Sequence, residues 1–328
     1  MTAVAENVSE ADSRAFQAIN RGYNAVFKPG RLSIGLVVPI ETYATGPVPA
    51  MTRHVERVQL AENLGFSAVW LRDVPFNVPS FGDAGQVFDP FVYLGALAVQ
   101  TTSIALGVAS IALPLRHPAH VAKAAATADV LSGGRLILGI ASGDRPEEFP
   151  ALSLPYDRRG ELFRESYDYI RQMGGQAPRV ENAFGHVANG VDMLPKPVSG
   201  KLPLLVTGGS QQAPDWIAAN ADGWMTYPRP ALQQSYVIDD YRARIDAAGE
   251  PDKPVMEPFY LDLAADPDAQ PRPIHLGMRL GINHLRGYLK SREEIGVNHV
   301  ALNLRFNQAD TEETLRKLAD DLLPDFAI

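Results

Sequence analysis

"ATADVLSGGRLILGIASGD", Ala126 to Asp144, carries the reading that decides the fold. An alanine-rich helical segment runs into Gly133 and Gly134, and the apolar stretch Leu136 to Ile140 follows at once. Glycine just past a helix accepts the left-handed backbone that other residues resist, so this is a helix-to-strand joint. The strand shows no polar alternation. A strand apolar on both faces suits a parallel sheet covered by helices. It ends in Ser142, Gly143, Asp144 and Arg145, a corner of small, charged and turn-forming residues.

The same joint recurs in "RHVERVQLAENLGF" before "SAVWLRD", in "DWIAANADG" before "WMTYP" and in "SREEIGVN" before "HVALNLRF". Adding residues 32–38, 104–114, 202–209 and 255–265 brings the total to eight strands, most followed by an amphipathic helix. Eight such units in about 300 residues predict a (β/α)8 TIM barrel with insertions. A doubly wound open sheet is the competitor, because alternation of strand and helix does not show closure. The barrel domain is placed at residues 31–328. Residues 1–30 form an N-terminal helical extension around "SRAFQAINRGYNAVF", expected to cap the closed end of the barrel or to serve an oligomer contact.

Three segments exceed what a minimal barrel needs: residues 74–90, 174–201 and 266–281, all rich in Gly, Pro and polar residues. The first and third follow strands, and insertions there shape the C-terminal mouth, where barrel enzymes build their pockets. The second follows a helix and is expected to return as a short hairpin before the fifth strand.

The 38 acidic and 30 basic residues leave a net charge of −8 without a Lys/Arg cluster able to track a phosphate backbone, which argues against nucleic acid and anionic membrane as partners. The absence of cysteine removes disulfides and thiolate chemistry and fits a reducing cytoplasm. The acidic N-terminus lacks the apolar core of a signal peptide, and no run reaches the length of a membrane helix. A cytoplasmic protein is expected.

A closed barrel would gather Glu41, Arg72, Asp73, Ala109, Ser110, Arg116, His117, Ser142 to Arg145, Thr207 to Gln211, Tyr227, Arg229 and Arg305 at one mouth. Two clusters suit an anion. In "VTGGSQQAPDW", Gly208 and Gly209 let backbone N–H groups approach a ligand, while Ser210 and Gln211 add donors ahead of a helix start. Gly143, Asp144 and Arg145 after Ser142 offer the same at the neighbouring mouth, with Arg145 as a charge-assisted donor. The plainer reading is a tight turn with a serine helix cap. Neither corner is a Walker A loop or a dinucleotide fingerprint.

His117 and His120, with Asp73 and Asp144, could be assembled into a metal site, but no metal-binding spacing supports one, and none is expected. His117 either orients a ligand or caps the helix that Pro118 begins. Glu147 and Glu148 read as a solvated helix start. Ser110, Ser142 and Ser210 lack the Gly-x-Ser-x-Gly context of a hydrolase. Trp70 reads as barrel packing. Lys123 and Lys201 are poorly placed for an aldolase Schiff base.

Taken together, "GFSAVWLRD", "IALGVASIALPLRHPAHVAKAAATADVLSGGRLILGIASGD" and "PLLVTGGSQQAPDWIAANADGW", in this order and spacing, resemble the bacterial luciferase-like flavin monooxygenases. "RDVPF", "FGDAGQVFDPFVYLG" and "GDRPEEF" are similar to a subgroup of single-chain luciferase-type oxidoreductases. The resemblance runs from about Leu32 to the C-terminus. It implies a barrel holding FMN, or in sister branches the deazaflavin F420, at the strand mouths. It places a flavin-supporting bulge, often with a non-proline cis peptide, at Ala109 and Ser110. The phosphate region falls on Ser142 through Arg145 and on Thr207 through Gln211. Two departures stand out: Val74 occupies the place of the catalytic histidine of light-emitting members, and Ser142 that of their phosphate-gripping arginine.

The resemblance implies a two-component monooxygenase that uses reduced FMN from a separate reductase, and O2, on a small organic substrate. Arg72 and Asp73 are the candidates for contacting flavin or substrate, with a structural salt bridge as the alternative; His117 is a further candidate. F420-dependent hydride transfer and a non-catalytic flavin-binding role are the other readings. A homodimer is expected from the same resemblance.

Overall fold

Apolar runs buried at most of their positions, on both sides of the strand, lie between two covered faces, and eight of them do so here. The strands are β1 (Ser33–Val37), β2 (Ala68–Leu71), β3 (Ala105–Ala112), β4 (Leu136–Ala141), β5 (Leu204–Thr207), β6 (Gly223–Met225), β7 (Val255–Leu263) and β8 (His299–Asn303). The structure is a computed structural model and describes residues 15–326. Each strand pairs parallel with the next, β6 joins β7 through Trp224↔Val255 and Met225↔Met256, and β8 returns to β1 through Ser33↔His299. The ring closes, so the open-sheet alternative falls and the fold is the (β/α)8 barrel.

Side chains alternate between two cores. Residues such as Ile34, Leu36, Val69, Leu71, Leu138 and Val206 face outward against the helices. Val37, Trp70, Ile137, Leu205, Met225, Met256 and Ala301 fill the interior. Interior volume is made by glycine inside strands: a Cβ on Gly107 would lie 2.2 Å from the Trp70 ring, and one on Gly139 would lie 2.7 Å from the Met225 methyl.

Of the four glycine joints expected from sequence, Gly65, Gly133 and Gly296 have left-handed φ of 91°, 66° and 92°. Gly223 does not. It begins β6, and its missing side chain admits Leu205 and Pro254, whose nearest atoms would each be 3.1 Å from a Cβ there.

The N-terminal helix covers Arg21–Val26, shorter than the expected stretch, whose Ser13 and Arg14 lie outside the described residues. It lies across the strand starts: Asn20 donates to the Leu136 carbonyl at 2.7 Å, and Tyr23, Val26 and Phe27 join the interior core. A buried chain ties this end together. The Trp70 indole N–H donates to His299 Nε2 at 2.8 Å, which leaves the proton on Nδ1 to donate to Ser33 Oγ at 2.6 Å, and Ser33 donates to the Val26 carbonyl at 2.8 Å.

The insertion before β5 is an antiparallel hairpin, Val180–Asn182 with Gly185–Val187. The insertion after β7 forms a second hairpin, Arg272–Ile274 with Gly277–Leu280, whose second strand runs parallel to Tyr260–Leu263 and raises the wall above β6. Among the described residues no helix is long and apolar enough to cross a membrane.

Candidate active site

The pairing of β4 with β5, Ile140 opposite Val206, sets Ala141 and Thr207 side by side, so the two glycine-bearing corners emerge at the same end of neighbouring strands. Gly143 takes a φ of 84° and lets the chain pass the Phe149 ring, which a Cβ would meet at 3.1 Å. In the other corner Gly208, Ser210 and Gln211 have φ of 55°, 41° and 59°. The Gly208 N–H donates to the Met225 carbonyl at 2.8 Å, which ties the corner to β6. Those of Gly209, Ser210 and Gln211 find no backbone acceptor among the described residues, the arrangement of an anion-binding nest. Ser210 is no helix cap: its hydroxyl closes the turn on the Thr207 carbonyl at 2.7 Å, and the helix Pro214–Asn220 starts later, from Ala213.

Between β2 and β4, β3 slips register between Val108 and Ile111, and the Ala109–Ser110 peptide is cis. The bulge presents two small, half-buried residues to the mouth. Ser110 Oγ and Thr207 Oγ1 share a hydrogen bond, with Met225 Sδ 3.3 Å from Thr207 Oγ1.

A cleft of about 740 Å³ opens over this floor. That volume is in the range of about 300–1,000 Å³ usual for small-molecule and cofactor sites. Its wall includes Arg72, Asp73, Ala109, Ser110, Ser142, Gly143, Asp144, Arg145, Thr207, Gly208, Ser210 and Gln211. Gly209 stays in the turn, off that wall. His117 is also outside it: the ring caps the helix Pro118–Leu131, with Nδ1 accepting from the Ala119 N–H at 3.2 Å and Nε2 donating to the Phe184 carbonyl at 3.1 Å. The structure therefore does not bring His117 to the other candidates.

Arg72 and Asp73 point to different partners. Both oxygens of Asp73 meet Arg116, at 2.7 and 3.0 Å, so this carboxylate is committed to an ion pair. Arg72 pairs through Nη1 with Asp83 Oδ2 at 2.7 Å. Burial works against its charge, but Asp83 and the nearby Tyr260 and Tyr43 outweigh that and hold the guanidinium above its ordinary range. Asp83 is shared: Arg305 Nη1 lies 3.0 Å from the same oxygen, and the Gly85 N–H donates to Oδ1 at 2.9 Å. Burial would lift the Asp83 carboxyl, yet Arg72, the Gly85 N–H and Arg305 keep it below the usual carboxylate range.

Arg145 turns toward this group. Its guanidinium stacks 4.0 Å from the Phe81 ring centre and donates through Nη2 to the Asp83 carbonyl at 3.1 Å, while Nη1 is buried with no acceptor. Glu148, expected in solvent, is 3% exposed, and burial pushes its carboxyl up against the pull of Arg145.

Sequence reading missed Asp83, Tyr260, Asn303 and Arg159 on the cleft wall and assigned no role to Arg305. The turn around Asp83, between Gly82 and Gly85 with φ of 72° and 61°, was the one local signal available.

The residues present fit a phosphorylated planar cofactor: small side chains on the floor, a nest of backbone donors at one rim, and buried guanidinium nitrogen without an acceptor. A closed parallel barrel with such a cleft at its strand mouths is the arrangement of a barrel enzyme. The chain belongs to the luciferase-like monooxygenase family, whose model matches residues 32–325. Members of this family are oxidoreductases that bind flavin or F420.

Among its relatives, 4-hydroxyprotoasukamycin monooxygenase of Streptomyces nodosus subsp. asukaensis is 27% identical over 230 residues, 67% of this chain and 60% of that protein. The F420-dependent hydroxymycolic acid dehydrogenase of Mycobacterium tuberculosis is 26% identical over 226 residues, 68% of this chain and 60% of that protein. The chain spans about 60 to 66% of the length of the curated relatives it matches. In structure it is similar to the monooxygenase RslO1 from Streptomyces bottropensis, with a TM-score of 0.74 at 20% identity, covering 90% of this chain and 100% of that one.

Proposed function

We propose that this chain is an FMN-dependent oxidoreductase, a two-component monooxygenase acting on a small organic substrate with reduced flavin from a separate reductase. The observation that carries the reading is the convergence of the β4 and β5 corners on one cleft over the small-residue floor of β3. Reduced flavin, when bound, supplies the electrons for oxygen chemistry. The chain's own part is positional. Gly143 and residues 209–211 would hold a phosphate with backbone N–H groups, Ala109 and Ser110 would leave room for a flat ring, and the arginines of the mouth would orient the substrate.

Transfer of hydride from F420 is the second reading, favoured by the relationship to an F420-dependent dehydrogenase. Fluorescence titration of the purified chain with FMN and F420, oxidised and reduced, separates the two. Tighter binding of reduced FMN, with substrate-dependent O2 uptake, is the expected result; preference for F420 supports the second reading, and binding of neither rejects both.

A further inference from the structure

The mouth of the barrel has two poles. On one side lie the β4 and β5 corners. Across from them, β2, β7 and β8 contribute Arg72, Tyr260, Asn303 and Arg305 to the cleft wall.

Arg72 spends only Nη1 on a side chain of the protein. Its Nε and Nη2 have no acceptor among the described residues, 16% of the side chain is exposed, and the residue lines the cleft. These two nitrogens form the side-on edge of the guanidinium, whose parallel N–H groups match the two oxygens of a carboxylate. Tyr260, within electrostatic reach of Arg72, offers a hydroxyl without a protein partner among the described residues. Asn303 accepts from the Arg305 N–H through Oδ1, which leaves its amide N–H groups to spare.

Charge balance points the same way. Two guanidinium groups, Arg72 and Arg305, share the single carboxylate of Asp83, an excess of one positive charge at this pole. Arg305 Nε is buried without an acceptor in a residue only 7% exposed. Buried cations lacking full partners are costly, and a monoanion would complete the set. Beside this pole Met256, Pro258, Ala301 and Phe306 provide an apolar wall.

We infer that the Arg72 pole binds the carboxylate of an otherwise apolar substrate, gripped by the free edge of Arg72 with Tyr260 and Asn303 as additional donors. The inference deepens the oxidoreductase reading and rests on it for calling the ligand a substrate. A carboxylate held there leaves the β4 and β5 corners free for the cofactor.

The test is calorimetric titration of the full chain, without cofactor, with sodium benzoate and with its neutral isostere benzamide. Benzoate is expected to bind at least about tenfold more tightly, and added salt should weaken benzoate alone. Arg72→Gln should lower benzoate affinity about tenfold or more and leave benzamide unchanged. Equal affinity for the two probes, no heat from benzoate, or indifference of benzoate to Arg72→Gln overturns the inference. If Arg72→Gln does not fold by circular dichroism, Tyr260→Phe takes its place: a loss of about threefold or more confined to benzoate supports the subsite, and no change overturns it. Failure of FMN and F420 to bind in parallel titrations removes the oxidoreductase reading without touching the benzoate result.

Discussion

Gly107 shows how a single missing methyl sets the barrel interior. Its position on β3 faces the Trp70 indole, and an added Cβ would sit 2.2 Å from ring atom Cε3, well inside contact distance. Gly107→Ala should therefore cost about 3 kcal/mol in urea unfolding, the upper end of overpacking penalties. Trp70→Phe in the same background should recover part of the loss, because the smaller ring withdraws the clashing atoms; additive effects of the two changes would contradict the contact. Trp70 was readable as packing from sequence, but its partner was not. Gly107 and Trp70 are thirty-seven positions apart and meet only because β2 and β3 pair with Trp70 beside Gly107.

At the scale of elements, the insertion after β2 owes its position to Asp83. Arg72 and Arg305 pin its carboxylate, and Arg305 Nη2 and Arg145 Nη2 donate to the carbonyls of Gly82 and Asp83 at 2.7 and 3.1 Å. Asp83→Asn removes the charge that the two arginines share. The expected result is a loss of about 1–3 kcal/mol in stability, since the pairs are largely but not wholly buried, together with faster proteolytic cleavage within residues 74–90. Unchanged cleavage would show that the insertion is held by other contacts.

Elements also mark the limit of reading from sequence. The joints at Gly65, Gly133 and Gly296 were legible because a helix end and its left-handed residue are chain neighbours. Gly223 followed the same pattern for a different cause, crowding by Leu205 and Pro254. The corners at Ser142–Arg145 and Thr207–Gln211 were legible as turns with spare donors. The direction in which Arg145 points was not, because Phe81 and Asp83 arrive from another insertion.

For the molecule as a whole, the closed end of the barrel makes stability depend on acid. His299 is fully buried between Trp70 and Ser33, and burial pushes its pKa down to about 3. An unfolded chain takes up this proton at about pH 6.5. Below that pH the unfolded state binds a proton that the folded state refuses, so stability falls as pH drops from about 6.5 toward 3. The loss expected from this group between pH 7.5 and pH 5 is about 2 kcal/mol. His299→Gln keeps an acceptor for Trp70 and a donor for Ser33 without the titration. Urea unfolding of the variant should show a shallower pH dependence over the same range, even if it is less stable at neutral pH; equal slopes would remove His299 as the cause.

The chain by itself determined that eight apolar strands alternate with helices, where several helices stop, and which two strand ends carry glycine and donors, because each of these is a property of residues a few positions apart. Tertiary structure alone decided that the ring closes, that His117 caps a helix away from the cleft, and that Arg72, Asp83, Arg145 and Arg305 share one mouth. Closure depends on short pairings such as Trp224 with Val255, and the arginine cluster on three strands and one insertion meeting in space. Such contacts form between segments far apart along the chain, where local pattern carries no information about distance or direction.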